Sequence, residues 1–488
     1  MMVNVPGTPG TPGTPGTPGN RIILWAPLLC IVALVAYYDL FLYTYAVNVP
    51  YTDDIWDVLQ FLVNVQQSSG WTDTAAAFYE QHNVHRTLSS RIIYYLAYTV
   101  EGEANFRTLT LLANLSLPLI LAMLYLCVHD KADKRLLPLV LLSSAFILFQ
   151  LRTFEISFWT MAAFAYMSVF LYGIASILCL QNASPLRLTA GALCAALATF
   201  SLASGQLIWL VGLASLIYQA TILKTAPKAY ITWWTACAIL ILGLYYADYQ
   251  SLLPADYFVS RFFAMPLTHI INFCTLLGSA VGQSSVLIAT LAGIAMLTLT
   301  AYSTFHRFRE KNLAVEFFAW YVILSAMSIT LGRSVEGMEA VLSPLILRYI
   351  FPSVLLLAVM PVLLFLNLPA KWLNPKLFIL LAVVSAVYSG YSYYAYSPGV
   401  QRHLEQSTGS HNLKRFWYYG SPGEVPTAMV KNAITCGIYN PKKRWYAKYQ
   451  VSPLVLRVTE PELWVPPKKS SAAKERTDKL NLNGSSRT

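Results

Sequence analysis

The sequence predicts an all-α polytopic membrane protein, and three observations carry that reading. Of 488 residues, 56% are apolar and only 12% are charged, and the mean hydropathy is +0.51, more apolar than a soluble globular domain sustains. Several runs reach the roughly 17–25 apolar residues that a helix needs to cross a bilayer. The alternating strands of about ten residues that build a transmembrane barrel, the other architecture a bilayer tolerates, have no counterpart here. The net charge of +11 sits mostly in short connections and in the C-terminal tail. That pattern fits loop asymmetry and attraction to anionic membrane lipid, and it argues against a nucleic-acid partner. Seven cysteines stand singly, without a CxxC spacing, so neither a disulfide framework nor a thiolate metal site is expected.

Taken in order, residues 1–20 contain a repeated Pro-Gly-Thr unit with no apolar face and are expected to form an extended, disordered tail. The apolar run at 22–45 is too long for a signal-peptide core and reads as an uncleaved first span. Further spans are expected at 106–128, 136–151, 158–180, 188–200, 206–222, 230–246, 283–304, 314–331, 349–367 and 377–395. Residues 258–282 are apolar enough to hold another. The expected total is about eleven, within about nine to thirteen, in a membrane module spanning 21–395. From 396 the composition changes to Ser-Pro-Gly turns, an aromatic patch at Phe416–Tyr419 and the basic cluster Lys442, Lys443, Arg444. This basic tail, 396–488, is expected to be partly ordered and packed on the outer face over 412–465, and disordered from about 467.

Loop charge sets the orientation. Arg21, the Lys131–Arg135 connection, Arg187, Lys224 and Lys228, Arg307 to Lys311, and Lys371 with Lys376 all fall on one side if the spans alternate. The positive-inside rule makes that side cytoplasmic, with the N-terminus. The other side receives the large first loop at 46–105, which has room for juxtamembrane helices, and also 151–157, 201–205, 247–282, 332–348 and the tail. Nearly all remaining acids, histidines and arginines lie there. The expected setting is the bacterial inner membrane, with the working face and the C-terminus on the periplasmic side.

The first loop is dense in chemistry. Asp53 and Asp54 follow the first span after a Pro50–Tyr51 break. Carboxylates at such a boundary can act as a general base, or simply cap a helix N-terminus. Glu80, His82, Asn83, His85 and Arg86 form EQHNVHR; as a helix it would put His82, His85, Arg86 and Ser89 on one face. That face could contact a phosphate or sugar, or the two imidazoles could ligate a divalent metal with Asp53 or Asp54. Such a metal is the one cofactor the residues leave open. Arg152 and Glu155 lie in the short second outer loop, and Ser201–Gln206 forms a small-residue turn. Gly332–Arg333 ends one span, and Arg348–Tyr349 begins the next on the same side, with Glu336 between them. Guanidinium forks suit a phosphate, although arginines at span ends also anchor to headgroups. No P-loop, GxGxxG, HExxH or GxSxG occurs.

The order and sidedness of three pieces resemble the GT-C superfamily of integral-membrane glycosyltransferases: the Asp53–Asp54 pair, the EQHNVHR segment, and the GR…RY segment of Gly332, Arg333, Arg348 and Tyr349. The resemblance covers about residues 22–395. It implies a GT-C-like fold and a polyprenyl-phosphate-linked sugar donor, with a glycan, lipid A or protein acceptor. It also implies Asp53 as the base, Asp54 as its assistant, and Arg333 and Arg348 with Arg86 or His85 on the leaving phosphate. Val84 stands where such segments often carry Glu. Two other functions fit the same architecture. A polysaccharide polymerase or ligase acting on diphosphate-linked glycans would rely on arginines. A lipid or solute transporter would place ionisable residues mid-span and show internal repeats.

Overall fold

The computed structural model describes residues 18–130, 135–181, 183–251, 257–282, 285–310, 312–333, 347–408, 417–418, 421–422, 424–440, 445–446 and 462–463. Within these the regular elements are helices, joined by turns and loops, apart from an isolated bridge at His82 and His85 and two antiparallel pairings of two residues each, Trp417–Tyr418 with Ser421–Pro422 and Trp445–Tyr446 with Glu462–Leu463. The first helix, α1 (Pro18–Tyr45), begins earlier than the tail reading of 1–20 allowed, because proline is well tolerated in a first helical turn. The repeat before it and the segment from 464 onward lie outside the described residues.

Four short elements make up the first loop: a π-helical turn (Ile55–Gln60), α2 (Phe61–Gln67), α3 (Trp71–Tyr79) and α4 (Leu88–Glu101). Gly102 closes α4 in the left-handed region at φ 73°, as a helix C-terminus favours. Then come α5 (Phe106–Asn114) and α6 (Ser116–Val128). Asn105 caps α5 by accepting from the Arg107 and Thr108 N–H groups. A short, deeply buried α7 (Leu137–Leu148) leads through a 3₁₀ turn (Leu151–Thr153) and α8 (Phe154–Ser157) into α9 (Thr160–Leu180). Next is α10 (Pro185–Thr199), capped by Ser184 with proline following, then a 3₁₀ turn (Ala203–Gln206), α11 (Leu207–Thr221) and α12 (Ala229–Tyr246).

Residues left open as an optional span form two helices, α13 (Tyr257–Ala264) and α14 (Pro266–Gly282). Helix α15 (Val286–His306) lies so close to α14 that a Cβ on Gly278 would stand 1.8 Å from the Ala289 carbonyl oxygen. The membrane module is completed by α16 (Ala314–Arg333), a 3₁₀ turn (Leu347–Tyr349), α17 (Phe351–Asn367) and α18 (Pro375–Thr408). Among the described residues, nine segments are long and apolar enough to cross a membrane, and α10, α14 and α17 are shorter apolar helices. This is a multi-pass helical membrane protein.

Helix α18 runs on past 395, where the sequence places the end of the last span. It continues as one helix of 34 residues through Pro398. Ser397 occupies the Tyr393 carbonyl near the proline. Gly399 lets the helix lie against Phe154, where a Cβ would come within 2.6 Å of the ring. At about 1.5 Å per residue the helix is roughly 50 Å long, against about 30 Å of hydrocarbon. Its last turns therefore extend past the bilayer to the first loop.

Hydrogen bonds between loops show which ends of the helices lie together. At one end Asn48 accepts from the Phe106 N–H at 2.8 Å, the Ser89 hydroxyl donates to the Phe200 carbonyl at 2.9 Å, and the Ala280 N–H donates to Ser353 at 2.9 Å. At the other, Tyr218 donates to the Phe308 and Glu310 carbonyls, Gln219 to Leu180, and Asn312 to Cys127. The connections sorted by charge thus meet in two separate groups. A final helix, α19 (Glu424–Thr435), packs on the π-helical turn. It is tied there by Tyr439 to the Asn48 carbonyl at 2.9 Å and by the Ala104 N–H to the Ile438 carbonyl at 2.7 Å.

Candidate functional site

The Asp53–Asp54 pair sits in a strained turn. Thr52 has φ 45°, a left-handed conformation that a β-branched residue adopts at a cost of order 1–3 kcal/mol. The Asp53 carbonyl accepts from the Trp56 and Asp57 N–H groups at 3.1 and 2.9 Å, starting the π-helical turn, a rare geometry found often at functional sites. Both aspartates are buried. The Asp54 carboxylate accepts from the Met161 N–H at 2.8 Å and the Tyr51 N–H at 3.0 Å. It therefore fixes the turn to the N-terminus of α9, where the helix dipole favours a negative group. Burial pushes its carboxyl well above the usual range; the two N–H donors oppose that shift, and the neighbouring Asp53 and Asp57 add to it.

Tyr51 is the centre of this region. Its ring lies 5.6 Å from Trp159 and 4.5 Å from His403 at the far end of α18. Burial raises the Tyr51 phenol, and the charges of Glu155, Arg348 and Asp54 also act on it. The Arg348 N–H donates to the Glu155 carboxylate. The Arg348 guanidinium stands 5.1 Å over the Tyr349 ring, which itself lies 6.4 Å from Tyr166. Four segments distant in sequence thus converge: the acid turn, α8, the 347–349 turn and the end of α18. Asp53, Asp54, Glu155, Arg348 and Tyr349 come together there. Arg333 closes α16, with its side chain outside the described residues, and Glu336 lies outside them altogether.

The EQHNVHR segment is not helical, which corrects the one-face reading of His82, His85, Arg86 and Ser89. Helix α3 ends at Tyr79, and Asn83 has φ 50°. His82 and His85 pair backbone to backbone at 2.8 and 2.9 Å. Asparagine tolerates the left-handed turn, and that local preference overrides the helical spacing. His85 accepts from the Ala203 N–H at 3.3 Å, and the Val84 carbonyl accepts from Tyr245 and Tyr249. The His82 ring contacts the Asn83 amide, and the exposed Glu80 accepts from Asn64. Among the described residues no three His, Cys, Asp or Glu side chains converge as a metal site, so the proposed grouping of these histidines with Asp53 or Asp54 does not form.

Arg86 is buried and donates to three carbonyls: Tyr79 at 2.6 Å, Tyr245 at 2.7 Å, and Ala247. It also stacks 4.0 Å over the Tyr79 ring. The guanidinium therefore caps the ends of α3 and α12, clamping the first loop to the bundle. Arg86→Ala is expected to lower the melting temperature of the purified protein by several degrees, because buried carbonyls lose a charged donor. An unchanged melting temperature with weaker donor binding would instead mark Arg86 as a phosphate ligand.

Tyr51, Asp57, Trp159 and His403 were not singled out as site residues. Tyr51 and Asp57 flank the acid pair closely enough that the spacing could have suggested them. No family model, curated protein or solved structure matches this chain.

Proposed function

We propose that this chain is a GT-C-type membrane glycosyltransferase that moves a sugar from a polyprenyl-phosphate carrier to an extracytoplasmic glycan, lipid or protein acceptor. One observation carries the reading. The acid turn of the first loop and the Glu155–Arg348–Tyr349 group meet around Tyr51, at the end of the bundle away from the basic connections. Displacement at an anomeric carbon needs a base on the acceptor hydroxyl and positive charge on the departing phosphate. Asp54 is committed to the start of α9, so the base is Asp53, with Asp54 orienting the turn. Arg348 receives the phosphate, joined by Arg333 from the end of α16.

In this reading eleven segments cross the bilayer. Helices α13 and α14 leave and return on the same side, so the sidedness of the loops is kept. The basic end faces the cytoplasm, and the site opens to the periplasm of a bacterial inner membrane. The turn bearing Arg152 packs against the turn bearing Arg348. That neighbourhood favours a second reading, a polymerase or ligase using a diphosphate-linked glycan, because two guanidiniums suit two phosphoryl groups.

The test is donor turnover by purified protein in nanodiscs, offered labelled sugars on polyprenyl monophosphate and on polyprenyl diphosphate with envelope glycan and lipid fractions as acceptors. Transfer from the monophosphate donor is expected. Transfer from the diphosphate alone would select the second reading, and no transfer from either would contradict both.

A further inference from the structure

Short α7 ends deep in the bundle, so the turn after it carries polar side chains into the interior. Gln150 is 0% exposed and Arg152 is 5% exposed. The Gln150 carbonyl oxygen accepts from the Arg152 N–H and, at 2.6 Å, from the Ser392 hydroxyl. Its amide nitrogen has no partner. The Arg152 guanidinium donates to the Ala280 carbonyl and contacts Tyr388, while its Nε–H has no partner. No ion pair between Arg152 and an acid forms among the described residues. On the neighbouring turn the Arg348 Nε–H is also unpartnered, as is the Trp159 indole N–H just past α8.

Buried polar groups without partners are uncommon and costly. The two unpartnered atoms of the 150–152 turn, the Gln150 amide nitrogen and the Arg152 Nε–H, are both donors, as are the Arg348 Nε–H and the Trp159 indole N–H. A sugar hydroxyl donates as well as accepts, whereas a phosphoryl group only accepts, so a purely donating set fits an anion. A buried arginine with no acid paired to it among the described residues adds the charge that such a ligand would neutralise.

We propose that Gln150 and Arg152 form an anion seat, adjoining the Arg348 turn, that takes a phosphoryl group. The seat stands on the burial of Gln150 and Arg152, their unpartnered donors and the contact between the two turns; assigning the phosphoryl group to a carrier lipid rests on the transferase reading above. Gln150 and Arg152 act as binding residues, and Asp53 has no part in the seat.

Gln150→Glu tests it in the full chain. The substitution keeps the oxygen that accepts from Arg152 and Ser392, and replaces the donating nitrogen by an anionic oxygen beside Arg152. Thermal stabilisation is read in phosphatidylcholine nanodiscs, either containing polyprenyl phosphate or with inorganic phosphate or pyrophosphate in the buffer. The wild type is expected to be stabilised. Gln150→Glu should need at least about tenfold more ligand for the same shift, a difference of about 1.4 kcal/mol, while melting no lower than the wild type without ligand. Stabilisation by polyprenyl phosphate alone assigns the seat to a lipid phosphate, and stabilisation by the soluble anions assigns it to a free one. Stabilisation by neither, or equal response of wild type and Gln150→Glu, overturns the seat. Loss of anion response in Gln150→Glu with no sugar turnover from any donor would keep the seat and remove the transferase reading. Turnover that depends on Asp53, with an anion response unaffected by Gln150→Glu, would do the reverse.

Discussion

Asp57→Ala is expected to destabilise the protein by about 3–5 kcal/mol, the range found when one partner of a buried ion pair is removed. Asp57 is 0% exposed and lies inside the π-helical turn. Its carboxylate stands 3.4 Å from the Arg91 guanidinium and accepts from the Thr87 hydroxyl at 2.5 Å and the Tyr94 hydroxyl at 3.4 Å. Arg91 in turn donates to the Ala77 and Glu80 carbonyls at 2.9 and 2.6 Å, so one guanidinium joins the acid turn, the end of α3 and the start of α4. Removing Asp57 leaves Arg91 buried without its carboxylate and two hydroxyls without an acceptor. Asp57→Asn keeps an acceptor for Thr87 and should cost less. Melting of purified wild type and both variants in one detergent checks this, with the order wild type, Asn, Ala. Equal melting of Asp57→Ala and wild type would show that the pair does not hold the loop.

The membrane architecture was legible because burial in lipid leaves a long-range apolar signal that short-range packing does not erase. The two-sided sorting of loops followed from charge, and the inter-loop hydrogen bonds of Ser89, Asn48 and Tyr218 agree with it. What failed was local. The EQHNVHR spacing suits a helix, yet Asn83 accepts a left-handed turn and tertiary partners hold it: Ala203 on His85, and Tyr245 and Tyr249 on Val84. Pro398–Gly399 reads as a stop, but packing on Phe154 carries α18 onward, and His403 reaches Tyr51 only for that reason. Arg86 and Arg348 look alike in sequence as cations on one face. Only the carbonyls of Tyr79, Tyr245 and Ala247 show that Arg86 is a clamp, whereas Arg348 stands by Glu155 with its Nε–H available. The turn bearing Arg152 beside Arg348 could not be seen from spacing either, since almost two hundred residues separate them in the chain (on the order of a full domain length).

The largest effect on activity is expected at Asp53. A positioned carboxylate base contributes about 10²–10⁴-fold to a proton transfer, and Asp53 is the acid of the pair proposed to act on the acceptor hydroxyl. Asp53→Asn preserves size and polarity, so the turn that begins at Thr52 should still form and the donor should still bind through Arg348. Asp54→Asn differs in kind. It places an amide N–H against the Met161 or Tyr51 N–H, loosening the turn from α9 and lowering stability as well as rate. The two variants therefore separate the chemical role from the structural one. The most direct measurement is single-turnover sugar transfer by Asp53→Asn in nanodiscs with saturating donor, beside its melting temperature. The proposed mechanism requires a rate lower by at least about 10²-fold with wild-type melting and donor binding. Wild-type transfer by a folded Asp53→Asn protein would contradict it.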